Sequence, residues 1–564
     1  MTSAIEALPT EVIHLIAAGE VIDSLAAVVR ELAENALDAG ATRITIALFP
    51  EQWRVRLADN GAGMVRPDLE QAAAPHSTSK IRHSRDLWNL TSLGFRGEAL
   101  HSLAQLSELE IVSRPPTEAE GWQVAYNPQG QVRRIVPVAI APGTVVTANQ
   151  IFGTWIARRE GLPPMAQQLR EVQAMVQLLA LSHPQVTWQV QQNDRPWFSL
   201  WAGTTARQIL PQILRDVQLG DLQELSVPSS TSGQAGGSAS VHLVLGLPDR
   251  CHRHRPDWVR VALNGRFVQA PELEQTILAG FRHTLPRDRF PVCLVHLQVP
   301  PAQIDWNRHP AKSEVYLHHL ESWREQVAGA IEQSLNLNPH TLSDGLYSSR
   351  IGKLIKVAET ESGYQVDRQI QSSLPDADPL APEPLPHSLR AIAQVHSRYI
   401  LAEHPAGVWL VEQHIAHERV LYEQLCDRWE IVPLSSPIVL NLAQGQVEQL
   451  QRLGLEVEPF GDQVWMVRTA PEMLAQREDC GAALLELSLG GDLQTAQVAT
   501  ACRSAIRNGL PLALGEMQTL LNQWQQTRQP RTCPHGRPIC LTLEESSLSR
   551  FFRRHWVIGK SHGI

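Results

Sequence analysis

"VVRELAENALDAGA", Val28 to Ala41, decides how the first third of the chain is read. At about 100° per residue, Val29, Leu32, Ala33, Ala36 and Leu37 make one apolar stripe, so the spacing predicts an amphipathic helix. Glu31, Glu34, Asn35 and Asp38 gather in a fan about 100° wide on another face. Like charges at these spacings repel by about 0.2–0.5 kcal/mol per pair. Both a solvated face and a face set against a cation fit that pattern, and the neighbouring sequence has to decide between them.

The chain around this helix has 564 residues, too many for one core, so several domains are expected. Its composition, 43% hydrophobic and 19% charged, is that of a folded globular protein. No apolar run reaches the roughly 18 residues that a membrane span needs. The start, "MTSAIEALPTEV", carries Glu6 and Glu11 and no basic segment, so no signal peptide is read there. Seven scattered cysteines suit a reducing, cytoplasmic setting. A net charge of −9 argues against coating nucleic acid by bulk charge, though it leaves room for a local basic groove.

Strand-like runs ("RITIALF", "RVRLADN", "ELEIVSR", "TVVTANQIF") alternate with helical ones over residues 1–205, which reads as an α/β domain. A second α/β block spans 206–335, with strands near "VHLVLGL", "VRVALNGRFV" and "FPVCLVHLQVP" and a low-complexity hairpin tip at 228–240. Residues 375–386, "PDADPLAPEPLP", hold five prolines, and 336–387 reads as an extended linker. A third, mixed α/β block covers 388–564.

Three short stretches bear on the polar face of the helix. In "RVRLADNGAGMV" a strand runs into Asp59-Asn60-Gly61-Ala62-Gly63, where glycines permit positive φ and Asp59 can accept a hydrogen bond from an adenine amino group. "HSTSK", 76–80, precedes "SLGFRGEAL", 92–100, in which Gly94 and Gly97 bracket a loop leading into a helix. Backbone N–H groups at such a start wrap phosphate oxygens. "APGTVVTANQIF" places Thr144 at a strand start as a further phosphate donor. The Walker pattern is absent, which excludes a P-loop NTPase.

In this order and at these spacings, the stretches resemble the ATP site of the GHKL superfamily. "LPTEVIHLIAAGEVI", "VVRELAENALDAGA", "DNGAGM", "STSKI" and "LGFRGEAL" look like the MutL mismatch-repair family nearly residue for residue. "VALNGRFV" and "IDWNRHPAKSEV" resemble that family's second domain. The resemblance implies a Bergerat-type ATPase sandwich, an S5-like transducer domain, a linker and a C-terminal dimerisation domain. It further implies that Glu31 is the general base for an attacking water and Asn35 the Mg²⁺ ligand. Asp59, Gly63, Thr78, Lys80, Gly94, Phe95, Arg96, Gly97, Glu98, Ala99, Leu100 and Thr144 would line the ATP site, and Lys312 would reach the γ-phosphate. Glu34 and Asp38 are read as supporting or solvated. One departure stands out: where the family usually has Arg-Pro before the helix, this chain has Ser24-Leu25.

Between residues 250 and 290 eight arginines, Arg266 among them, face four acidic residues, an expected stripe for DNA phosphates without sequence preference. In the third block, "EQHIAHERVLYE" puts His414 and Glu418 on one helical face. "ACRSAIRNG" adds Cys502 nearby, and "CPHGRPIC" adds Cys533 and His535. Imidazole, thiolate and carboxylate together suit Zn²⁺ or Mn²⁺. This resembles the metal-dependent endonuclease site of many MutL proteins, with Phe552-Arg553-Arg554 in the place of its C-terminal motif. The first ligand there is Asp, whereas this chain has Glu412. The sliding-clamp motif is reduced to "VPLSSP", 432–437, without its glutamine. The resemblance implies a homodimeric mismatch-repair ATPase that closes as a clamp on double- or single-stranded DNA and acts with MutS. Whether it also nicks DNA, or only matches partners around a structural metal, stays open. A topoisomerase-type subunit lacks support, since no domain with a nucleophilic tyrosine is evident.

Overall fold

In the computed structural model, the opening stretch is helical through Asp38, and the helix's apolar stripe is buried: Val29, Leu32, Ala33 and Ala36 are inside and Leu37 half-buried. The structure describes residues 10–78, 80–81, 83, 92–94, 97–228, 239–305, 315–336, 389–405, 407–461, 463–545 and 548. Phe95, Arg96, Lys312, Phe552, Arg553 and Arg554 lie outside these residues, as do nearly all of the expected linker and hairpin tip.

The N-terminal elements are α1 (Thr10–Val21), α2 (Leu25–Asp38), β1 (Arg43–Phe49), β2 (Arg54–Asp59), α3 (Arg66–Gln71), α4 (Ala99–Leu106), β3 (Glu108–Arg114), β4 (Gly121–Tyr126), β5 (Val132–Val138), β6 (Gly143–Asn149), α5 (Ile156–Glu160), α6 (Met165–Ser182), β7 (Thr187–Gln192) and β8 (Arg195–Leu200). The strands form one eight-stranded sheet in the order β5-β4-β3-β6-β2-β1-β7-β8. Only β1 and β7 run parallel; every other neighbouring pair is antiparallel. Helix α2 packs on β1 and β2 and against α6. That leaves its polar face toward the loops that follow β2 and precede α4. All four strands expected in this block are present, and "EALHSLAQL" forms α4.

The Ser24-Leu25 departure has a local reason. Ser24 is the N-cap of α2, its Oγ accepting from Ala27 N at 3.1 Å, and Leu25 is buried. A hydroxyl cap satisfies one of the helix's free amide groups where the family uses proline at the first turn.

In the second block a five-stranded sheet has the order Arg266–Val268, Val259–Leu263, Cys293–Gln298, Ser240–Gly246, Leu222–Pro228. "VRVALNGRFV" is two strands joined by a two-residue turn, with φ of 46° at Asn264 and 87° at Gly265. Asn264 pins that turn to the neighbouring strand's end, donating to Val299 O and accepting from Val299 N, both at 2.8 Å.

The C-terminal block carries a four-stranded sheet, Arg390–Val395, Tyr399–His404, Gly407–Glu412 and Cys540–Glu544 in that order. A three-stranded sheet is centred on Val464–Pro471. The long helix Gln413–Asp427 starts directly at the end of Gly407–Glu412. Contacts divide the chain into two compact units, 1–245 with 257–277 and 293–330, and 246–256 with 278–292 and 331–564. No helix among the described residues is long and apolar enough to cross a membrane.

Replacing Ser24 with Ala removes the α2 cap and should lower stability by about 1 kcal/mol. Urea unfolding of wild type and Ser24→Ala followed side by side measures this, and an unchanged midpoint would show that the cap contributes nothing.

Candidate functional site

Three of the four polar residues on the expected fan of α2, Glu34, Asn35 and Asp38, are placed beside described segments outside the helix. Glu31 is buried, and the Arg30 guanidinium lies 3.4 Å from its Oε1. Asn35 is half-buried. A methyl group built on Gly94 would stand 3.2 Å from its Oδ1 and 3.1 Å from Lys80 Nζ, so a side chain here would crowd both groups. Asp38 accepts from the amides of Leu93 and Gly94, each at 2.9 Å, and pairs with the Lys80 ammonium. Lys80 N in turn donates to Thr78 Oγ1 at 3.2 Å. Asp38 is thus the anchor of the segment that carries Gly94, a role larger than the supporting or solvated one expected.

Glu34 is likewise structural. Its carboxylate pairs with Arg266, and both side chains are almost wholly buried, at 2% and 9% exposed. Arg266 also donates to Leu93 O at 2.7 Å. This corrects the reading of Arg266 as a DNA contact: its guanidinium is spent inside the protein on a carboxylate and a carbonyl. Of the other arginines in the expected stripe, Arg250 pairs with Asp249 at 2.8 Å and Arg282 with Asp492 at 2.9 Å.

At the other end of the site Asp59 closes β2. Burial raises its pKa, opposed by the amides of Gly61 and Thr144, which donate to it. Gly63 has φ of 67°, and any side chain there would strike Arg114 O. Thr144 pairs with Asp59 across β2 and β6, and its hydroxyl lies 3.0 Å from Ser113 Oγ. The structure therefore groups Thr144 with the aspartate rather than with the glycine loop, where a phosphate donor was expected. Gly97 rests on the Ser77 backbone; Glu98, Ala99 and Leu100 begin α4, with Glu98 3.3 Å from His76 Nδ1.

The C-terminal residues form two groups that share Glu418. His414, Glu418 and Cys502 offer ligand atoms within 4.8 Å of one another, and so do Glu418, Cys533 and His535. The spacing that put His414 and Glu418 on one face holds, and Cys502 belongs to the cluster itself. His414 Nδ1 is engaged by Ile506 O at 2.9 Å, which leaves Nε2 as the nitrogen able to serve as a ligand. Glu418 is fully buried. Its Oε1 and His535 Nδ1 approach to 2.7 Å as an ion pair, which places a carboxylate oxygen and a ring nitrogen side by side in the cluster. The donor set fits Zn²⁺ or Mn²⁺. The Cys533 sulfur and the Glu418 carboxylate push His535 up to about 9.

Glu412 is not part of either group among the described residues. It caps the helix it precedes, Oε2 accepting from Ile415 N at 2.6 Å, while Oε1 lies 3.5 Å from Arg398. The expectation that it ligates metal is corrected: the longer side chain folds back onto its own helix start. The residue missed in the sequence is Arg537, which holds Glu418 Oε2 at 2.6 Å and reaches Cys533 Sγ at 3.4 Å. It stands inside "CPHGRP", where an arginine beside two ligand types was the available signal.

These geometries agree with comparisons to known proteins. Residues 23–144 match the model of the histidine kinase-, DNA gyrase B- and HSP90-like ATPase, 220–336 that of the DNA mismatch repair protein C-terminal domain, and 392–512 that of the MutL C-terminal dimerisation domain. The chain is 58% identical over 576 residues to the DNA mismatch repair protein MutL of Nostoc punctiforme, with all of both chains covered. It is 59% identical to the MutL proteins of Trichormus variabilis and Rippkaea orientalis, again over the whole of both chains. The expected ATPase domain at the N-terminus is therefore present, and the chain belongs to the MutL family of DNA mismatch repair proteins.

Proposed function

We propose that this MutL-family ATPase binds ATP with Mg²⁺ on the polar face of α2, uses Glu31 as general base and Asn35 as metal ligand, and closes as a homodimeric clamp on DNA. The observation that carries the reading is the placement of Gly94 beside Asn35 and the Asp38–Lys80 pair, which brings the glycine segment onto the helix that also carries Glu31. Asp59, at the end of β2, accepts from the base, and Gly63 keeps the neighbouring backbone close. Lys80, Gly97 and the start of α4 supply donors on the phosphate side. Asn35 would hold Mg²⁺, which when bound would offset the charge of the phosphates. Glu31 takes the proton of the attacking water, with the Arg30 guanidinium beside its carboxylate. Lys312 is proposed as the γ-phosphate contact on the family motif alone.

Mismatch recognition would come through MutS, DNA would be held without sequence preference, and the chain would act in the cytoplasm, at the nucleoid during repair. The match to a dimerisation domain at 392–512 supports the homodimer. "VPLSSP" lies in the strand Ile431–Asn441, so the sliding clamp stays a partner to test. In the C-terminal block we propose a Zn²⁺ or Mn²⁺ site on His414, Glu418, Cys502, Cys533 and His535. A matchmaker with a structural metal is the second reading, and the observation favouring it is Glu412, which caps a helix instead of joining the ligands.

Glu31→Ala is expected to bind nucleotide normally while hydrolysing it about 10²–10⁴ times more slowly, the usual cost of losing a general base. Equal losses in affinity and turnover would reject that role. Asn35→Ala should weaken Mg²⁺·ATP binding itself and abolish the dimerisation shift seen with a non-hydrolysable analogue in size-exclusion chromatography; a wild-type profile refutes the assignment.

Metal analysis of the purified chain should find at least one Zn²⁺ or Mn²⁺, lost in Glu418→Gln and retained in Glu412→Ala, which forfeits only a helix cap worth about 1 kcal/mol. A metal-free wild type ends the proposal. With metal present, nicking of supercoiled plasmid in Mn²⁺ separates nuclease from matchmaker.

A further inference from the structure

The α2 face has one feature that binding and hydrolysis chemistry do not require. Glu34 sits between Glu31 and Asn35 in sequence, yet it is turned into the protein and paired with a residue 232 positions away. Arg266 opens the strand Arg266–Val268 immediately after the Asn264-Gly265 turn. That turn is held on several sides. Asn264 is tied to Val299 through both amide atoms, and Gly265 N donates to His296 Nε2 at 2.8 Å. A side chain at Gly265 would also press on His183 and touch Leu93. The guanidinium therefore has little freedom at its root.

At its tip one nitrogen, Nη2, serves two acceptors, the Glu34 carboxylate and Leu93 O. The next residue is Gly94, whose amide is held by Asp38 and whose Cα passes over Asn35. A rigid turn of the second block's sheet is in this way joined, through one buried ion pair, to the helix carrying Glu31 and Asn35 and to the segment lying across it.

We infer that Arg266 and Glu34 form a positioning strut by which the β-hairpin around Asn264-Gly265 sets the place of Leu93–Gly94, so that hydrolysis depends on where that sheet sits. Neither residue touches the reacting atoms in this scheme. The strut rests on the proposal that the α2 face is the nucleotide site. It adds a route by which the second block governs turnover separate from the proposed Lys312 contact with the γ-phosphate. A shift of the hairpin by a fraction of an ångström would withdraw the donor from Leu93 O or from Glu34, since one nitrogen cannot follow two diverging acceptors. A buried charge left without its partner resists that motion, which makes the linkage stiff.

The test uses the full chain with Glu34→Gln, Arg266→Gln and the double variant, read in two ways. In the nucleotide-free protein, hydrogen exchange at the Leu93 and Gly94 amides should be about tenfold faster in each single variant, because the segment loses its second hold. In turnover, kcat should fall about tenfold, with the ADP Kd within about threefold of wild type, and the double variant should be no worse than the poorer single, as for residues acting through one another. Additive losses in the double variant, unchanged exchange, or wild-type kcat would each overturn the strut. If the neutral variants do not fold, Glu34→Asp keeps the charge and withdraws it by one methylene; faster exchange at Leu93 and Gly94 then supports the inference and unchanged exchange sinks it. The underlying site reading fails separately, through Glu31→Ala that still hydrolyses ATP. If Glu31→Ala is inactive while the strut variants turn over normally, only the strut is lost.

Discussion

The rest of the N-terminal structure depends on one constraint: a helix face with three carboxylates and an amide has to be buried next to a nucleotide site without leaving its charges uncompensated. Glu34 and Asp38 meet this with cations from elsewhere in the chain, Arg266 and Lys80. Asp38 also takes two backbone amides from the 93–94 segment. Burying an unpaired carboxylate is costly, so these partners are conditions for α2 to sit against the loops at all. With Glu34 and Asp38 engaged elsewhere, Asn35 is the member of the fan beside Gly94, and Glu31 is buried next to Arg30. The like-charge crowding evident in sequence is therefore resolved by sorting: two carboxylates are tied into the structure, and Glu31 is the one proposed for chemistry.

The sheet explains why the site assembles where it does. Helix α2 and strand β2 are close in sequence, and β2 lies between β1 and β6 in the eight-stranded sheet. Placing β6 beside β2 brings Thr144 against Asp59, so the aspartate's surroundings are built from a segment about eighty residues later in the chain. Burial by that neighbouring strand raises the Asp59 pKa, and the Gly61 and Thr144 amides pull it back, the balance of an acceptor held by donors in a partly dry pocket.

Local periodicity makes α2, β1, β2, β3 and α4 legible in the amino-acid sequence, because each carries its own apolar pattern and ends at a turn or cap residue. The motif resemblance carries the ATPase reading, while the glycines at 63 and 97 are also required by their positive φ and by the Arg114 and Ser77 backbone beside them. Partners set by long-range pairing are out of the sequence's reach. Arg266 looks like a member of a basic stripe because a sequence window counts charge and cannot see that one guanidinium turns inward to Glu34. Glu412 looks like a lengthened ligand because spacing cannot distinguish a carboxylate aimed at a metal from one folded onto the amide of Ile415. Arg537 stands within a legible motif, yet its hold on Glu418 crosses 119 residues.

The two sites share a device that follows from this. In each, a carboxylate on the buried face of a helix is gripped by an arginine from a distant segment, Glu34 by Arg266 and Glu418 by Arg537. The consequence differs with what remains free. Glu34 lies almost wholly within the protein with its arginine, and the pair acts as structure. Glu418 gives Oε2 to Arg537 and keeps Oε1 beside His535, so it enters any metal shell through one oxygen. Holding the carboxylate in one orientation fixes which oxygen that is, and the arginine offsets negative charge that Cys502 and Cys533 would add as thiolates. An arginine beside the proposed ligand set would in this respect limit how much cationic charge the cluster needs, and it sets a group of one carboxylate, two imidazoles and two thiols apart from one made of carboxylates alone.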